Sequence, residues 1–144
     1  MSFESLATLC SGLFAGASLY INLVEHPARL QCGTALAVAE FAPSYQRAAV
    51  MQAALAALGF LSAAAAWFSG SSLHWLVGGL LLGAVIPFTF IAIFPTNKQI
   101  LDPSLDKESA RASDLLHQWG RLHAVRSALS LASFVIFLCL LGAK

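Results

Sequence analysis

The stretch from Leu76 to Phe94, LVGGLLLGAVIPFTFIAIF, runs for 19 residues without a charged side chain. A helix needs about 20 apolar residues to cross the roughly 30 Å hydrocarbon core of a bilayer, so this segment reads as a membrane span. Three further windows read the same way: Leu6 to Val24, Ala48 to Phe68, and a last one from near Gly120 to near Gly142. Backbone exposed to lipid must satisfy its own hydrogen bonds, which leaves helices or a closed barrel. No series of short alternating strands is visible, so helices are expected. The predicted fold is an all-α integral membrane four-helix bundle of antiparallel up-down topology. It forms one domain over residues 1–144, with spans at about 5–26, 46–68, 73–94 and 119–142.

Composition points the same way. Of 144 residues, 58% are hydrophobic and 10% charged, against roughly 45–50% and about 25% in soluble domains. Mean hydropathy is +0.76. A net charge of +1 offers no case for nucleic-acid binding. Cys10, Cys32 and Cys139 show neither CxxC nor Cys/His metal spacing. The N-terminal apolar run carries Glu4 where a signal peptide needs basic residues, so it is read as a retained span.

Charge placement predicts orientation. Arg29, Arg47, Lys98, Lys107, Arg111, Arg121 and Arg126 fall at one face, and Lys144 at the other. Cytoplasmic loops are enriched in Lys and Arg. The connections at 27–46 and 95–119 are therefore expected in the cytoplasm and both termini outside. Trp67 and Trp75 fit an interfacial aromatic belt. The small-residue patterns Gly12–Gly16 and Gly79–Gly83 suit close helix packing, either within the bundle or in a homo-oligomer.

Polar residues then stand out against lipid. Ser11, Ser18, Asn22, Glu25 and Arg29 recur at helical spacing in the first span, with His26 at the edge of that stripe. Trp119, His123, Arg126 and Ser130 do so in the fourth. Tyr45 and Gln52 from the second span and Asn97 from the third are expected in the same layer. Ionisable groups at membrane depth are costly and usually face the bundle interior. The bland alternatives are arginines reaching for head groups and a helix-end Glu25–Arg29 pair.

The segments LYINLVEHPARL (19–30), PSYQRAAVMQA (43–53), IPFTFIAIFPTN (86–97) and LLHQWGRLHAVRSAL (115–129) together resemble bacterial members of the anthrone oxygenase-like family of small four-span membrane proteins. The most specific pieces are Pro-Thr-Asn after the third span and Trp-x3-His-x2-Arg opening the fourth. The resemblance implies a bacterial inner-membrane location. It also implies Asn22, Glu25, His26, Asn97, Trp119, His123 and Arg126 as site residues, and oxidation of anthrones to anthraquinones with no established cofactor.

Two functions of different class fit these residues. In the first, the protein is an oxidoreductase acting on a lipophilic phenol, anthrone or quinone-type molecule that arrives from the bilayer. His123 or His26 would be the base, since imidazole titrates near neutral pH. Arg126 and Arg29 would stabilise an oxyanion, with Asn97 donating a hydrogen bond. Asn22, Glu25, Tyr45 and Trp119 would contact the substrate. A metal version places iron or copper on His26, Glu25 and His123, or a haem on histidine. In the second, the protein is a non-enzymatic binder of lipid or quinone, and its polar layer is a structural network.

Overall fold

Four long helical rods carry the chain: Phe3–Gln31, Thr34–Phe68, Leu73–Ile100 and Ala110–Gly142, each long and apolar enough to cross a membrane. The structure, a computed structural model, describes residues 1–143. Lys144, the only cation expected at the outer face, lies outside the described residues. The first rod comprises α1 (Phe3–Tyr20), a π-turn (Ile21–Glu25) and α2 (His26–Gln31). The second is α3 (Thr34–Phe68). The third comprises α4 (Leu73–Gly83), α5 (Val85–Phe88), a second π-turn (Thr89–Ile93) and α6 (Phe94–Ile100). The fourth is α7 (Ala110–Gly142). Among the described residues there is no strand. The protein is an all-α integral membrane four-helix bundle.

The rods close into a ring in which α1 and α4 each pack against both α3 and α7. Residues ascending the first rod meet residues descending α7: Ser11 meets Ser133, Asn22 meets His123, and His26 meets Leu116. The first and fourth rods start with a serine cap that satisfies an amide of the first turn. Ser2 Oγ accepts from the Ser5 amide and Ser109 Oγ from the Ala112 amide, both at 3.2 Å. Gly33 (φ 93°) and Gly70 (φ 97°) make the two tightest connections, in a left-handed conformation that a Cβ would disfavour.

The connections are shorter than hydropathy suggests. The expected loop at 27–46 shrinks to Cys32 and Gly33, and that at 95–119 to residues 101–109. Hydropathy falls at Glu40, Ser44, Gln46 and Arg47, but Ala- and Leu-rich sequence still favours helix there. Burial of Ala37, Val38 and Phe41 in one cluster with Leu116 and Trp119 secures the extra turns. In the 101–109 connection, the hydroxyl (2.7 Å) and amide (2.8 Å) of Ser104 donate to Asp102. These bonds hold the Asp102 carboxyl below the ordinary carboxylate range.

Each π-turn ends two residues before a proline, Pro27 or Pro95. Proline lacks the N–H that would reach back four residues, and its ring crowds that turn. The chain widens instead: the His26 amide reaches the Ile21 carbonyl and the Phe94 amide that of Thr89, five residues back. Such a turn holds one extra residue and advances the register of the helix beyond it. The stripe predicted on the first span is split by it. Asn22 and His26 face α7 together with Ser11, whereas Glu25 and Arg29 turn toward α3.

The small residues are spent mostly inside the chain. A Cβ on Gly12 would lie 2.8 Å from the Phe134 ring, one on Gly79 2.7 Å from Ala63 Cβ, and one on Gly78 2.5 Å from Phe137. Gly16 faces open space. Trp75, expected in an interfacial belt, is instead buried and stacked on Phe137 at 5.1 Å, because Gly78 lets that ring sink between the helices.

Candidate functional site

A cavity of about 150 Å³ lies between the four rods, with Glu25, Arg29, Tyr45, Trp119, His123 and Arg126 among its walls. Phenylalanines (Phe14, Phe41, Phe90, Phe94) and the alanines of α3 supply most of the remaining surface. An apolar cavity of this size holds a single aromatic ring.

His123 is 1% exposed, and its hydrogen bonds define its chemistry. Asn22 Nδ2 donates to the Gly120 carbonyl at 3.1 Å, which can only accept, so the Asn22 amide is oriented. Its Oδ1 must then be the acceptor facing α7. That oxygen takes the Ser127 hydroxyl proton and lies 2.8 Å from His123 Nδ1. Neutral His123 therefore carries its proton on Nδ1. Nε2 then carries the lone pair, has no hydrogen-bond partner among the described residues, and belongs to a side chain that lines the cavity.

Trp119 stacks on His123 (4.8 Å between centroids, 26°), leans on His26 (5.1 Å) and meets Phe41 edge-on (5.2 Å). These contacts restrict rotation of the His123 ring.

The two arginines differ. Arg29 is compensated: it ion-pairs with Glu25 and, at 2.7 Å, with Glu40, and donates to Ser44 at 3.1 Å. Ser44 in turn donates to Glu25 at 2.7 Å. The Arg29 guanidinium also lies 5.9 Å from both the Phe41 and Trp119 rings. Arg126 has no carboxylate at ion-pair distance among the described residues. It donates to Gln52 Oε1 at 2.8 Å and sits 5.4 Å over the Phe14 ring. A cation held by neutral groups beside a cavity leaves charge available for an anionic ligand.

Three residues expected at the site do not line the cavity. Asn22 stands behind His123 as its hydrogen-bond partner. His26 donates Nε2–H to the Leu116 carbonyl at 3.0 Å, which occupies the nitrogen nearest α7. That approach requires Gly120, where a Cβ would lie 2.7 Å from His26 Nε2. Asn97 is buried, and neither its amide nitrogen nor its oxygen has a hydrogen-bond partner among the described residues. The iron or copper set of His26, Glu25 and His123 is not assembled: Glu25 is paired with Arg29, and among the described residues no three His, Cys, Asp or Glu side chains form a metal-holding group.

Residues absent from the sequence-based site include Glu40 and Ser44, which complete the Arg29 network, and Ser127, which shares Asn22 with His123. Ser127 carries a usable signal, since it lies one helical turn after His123. Glu40 and Ser44 fall in a segment that reads as loop.

No solved structure matches the chain. Two curated proteins are similar over nearly its whole length. An anthrone oxygenase of Aspergillus fumigatus (tpcL) is 23% identical over 143 residues, covering 92% of this chain and 89% of that protein. An anthrone oxygenase of Claviceps purpurea is 26% identical over 146 residues, covering 91% and 84%. The family pattern described as anthrone oxygenase matches residues 41–136, a stretch that supplies Tyr45, Gln52, Trp119, His123 and Arg126. With the pattern spanning more than half of its length, the chain belongs to the anthrone oxygenase family.

Proposed function

We propose that the protein oxidises the methylene carbon of an anthrone or a similar electron-rich lipophilic phenol, with His123 as general base and Arg126 as the stabilising cation. An anthrone holds a ketone across a central ring from a methylene group. Removing one methylene proton gives an aromatic enolate whose negative charge rests largely on the ketone oxygen. The bare His123 Nε2 is suited to accept that proton, and Arg126 to sit against the oxygen. The electron-rich carbon then reacts with molecular oxygen, and the resulting hydroperoxide loses water to leave a second carbonyl. Anthrone and one O2 become anthraquinone and one water: carbon gives up four electrons and oxygen takes them.

The observation that carries this reading is the coupling of an Asn22-oriented imidazole with an arginine that has no carboxylate partner, both on one apolar cavity. A purely structural network would be expected to neutralise its cation, as the Arg29 network does. The family names of the relatives support the reaction class. The test is aerobic incubation of an anthrone with purified protein, following oxygen uptake and quinone absorbance. One O2 consumed per quinone formed, above the buffer rate, is expected. A rate equal to buffer autoxidation would leave lipid or quinone binding as the function.

A further inference from the structure

The cavity has a side as well as an end. Helix α3 packs tightly along α4, where Gly79 sits on Ala63 and a Cβ on Gly83 would lie 3.2 Å from the Phe60 ring. It makes no comparable packing against the Thr89–Ile93 π-turn or α6. The second and third rods are thus held together in one half and separated in the other. The separated half is where the cavity lies. Ala53 from α3 and Phe90 from the π-turn line the cavity, yet both are exposed on the bundle's outer surface, Phe90 at 65%. Residues beside them on that surface are apolar: Val50 is 74% exposed and Ile91 78%. Toward α2, by contrast, the cavity is bounded by the Arg29–Glu25–Ser44 network.

We propose that the cavity opens sideways into the bilayer between α3 and the Thr89–Ile93 turn, with Phe90 as the movable door and Ala53 as the threshold that sets what passes. The ligand class is a planar, fused-ring aromatic dissolved in the membrane. A cavity of about 150 Å³ takes one ring, so a three-ring molecule bound with one edge at His123 and Arg126 extends toward the door and displaces the Phe90 ring. The door sits on a π-turn, a bulge of the kind that is frequent at functional sites. The small side chain of Ala53 keeps the opposite edge flat. This inference rests on the proposed function for its ligand class, but not on turnover.

The test measures association and dissociation rates of anthraquinone with the protein in lipid nanodiscs, read by quenching of tryptophan fluorescence. Ala53→Phe narrows the threshold and is expected to slow both rates together by about tenfold or more, with a smaller change in Kd. Phe90→Ala removes the door and is expected to speed both. Ile91→Ala, on the same outer surface but off the cavity, is the control and is expected to change neither. All three positions are exposed, and each variant's helicity by circular dichroism checks its fold. Unchanged rates in both Ala53→Phe and Phe90→Ala would overturn the portal, as would failure of the wild type to bind anthraquinone. Wild-type binding with no anthrone turnover, and with the rates shifting as stated, would sink the oxygenase reading and leave the portal standing.

Discussion

Asn22 Oδ1 lies 2.8 Å from His123 Nδ1, across the contact between the first and fourth rods. Because the Gly120 carbonyl fixes the other end of the Asn22 amide, this bond selects which imidazole nitrogen is free to act. Asn22 is thus a positioning residue. Replacing it with leucine removes the acceptor, and kcat for anthrone oxidation is expected to fall about 10²-fold or more, with KM less affected. Asn22→Asp keeps an acceptor and should recover much of the loss, with an altered pH profile because a charge has been added. Equal kcat in wild type and Asn22→Leu would remove the role.

Arg126 and Arg29 are expected to fail in different ways. Arg126 has neutral partners, so Arg126→Gln should cost about 10²–10³-fold in kcat/KM while leaving Tm nearly unchanged. Arg126→Lys should restore part of the activity. Arg29→Gln strips the partner from Glu25 and Glu40. The loss should appear as lower stability, about 1–2 kcal/mol since both glutamate side chains are partly exposed. Kinetics and thermal melts on the same preparations separate the two.

Glycine positions give a packing test. At Gly120 an added Cβ would meet His26 Nε2 at 2.7 Å and Cδ2 at 2.8 Å. Gly120→Ala should destabilise by about 1–3 kcal/mol and disturb the Trp119 stack on His123. A Cβ added at Gly16 would meet no described atom within 4 Å beyond its own stretch of helix. There alanine should be neutral or stabilise by up to about 1 kcal/mol through helix propensity. Similar melts for both variants would contradict the geometry.

Much of this architecture is legible in the sequence because lipid permits few alternatives. Uncharged runs such as 76–94 have to be helices, and polar residues within them have to face inward, which picks out His123, Arg126, Glu25 and Arg29. The ends of the rods are not legible. Residues 34–47 lose hydropathy at Glu40 and Arg47 while keeping helix propensity, and only packing against Trp119 and Leu116 reveals that the helix continues. The division of labour within the first span is hidden for another reason. A π-turn before Pro27 breaks the 100° rule, so Asn22 and His26 turn to α7 while Glu25 and Arg29 turn to α3. Periodicity alone places Asn22 with Glu25 on one stripe. Asn97 stands out by its motif, but its side chain is buried away from the cavity lining.

Proton removal by His123 can be isolated from all later chemistry. With oxygen excluded, an anthrone deuterated at its methylene carbon should lose deuterium to water faster with the wild-type protein than in buffer, read by mass spectrometry. His123→Ala, folded by circular dichroism, is expected to bring that exchange down to the buffer rate. Exchange by His123→Ala at the wild-type rate would contradict it.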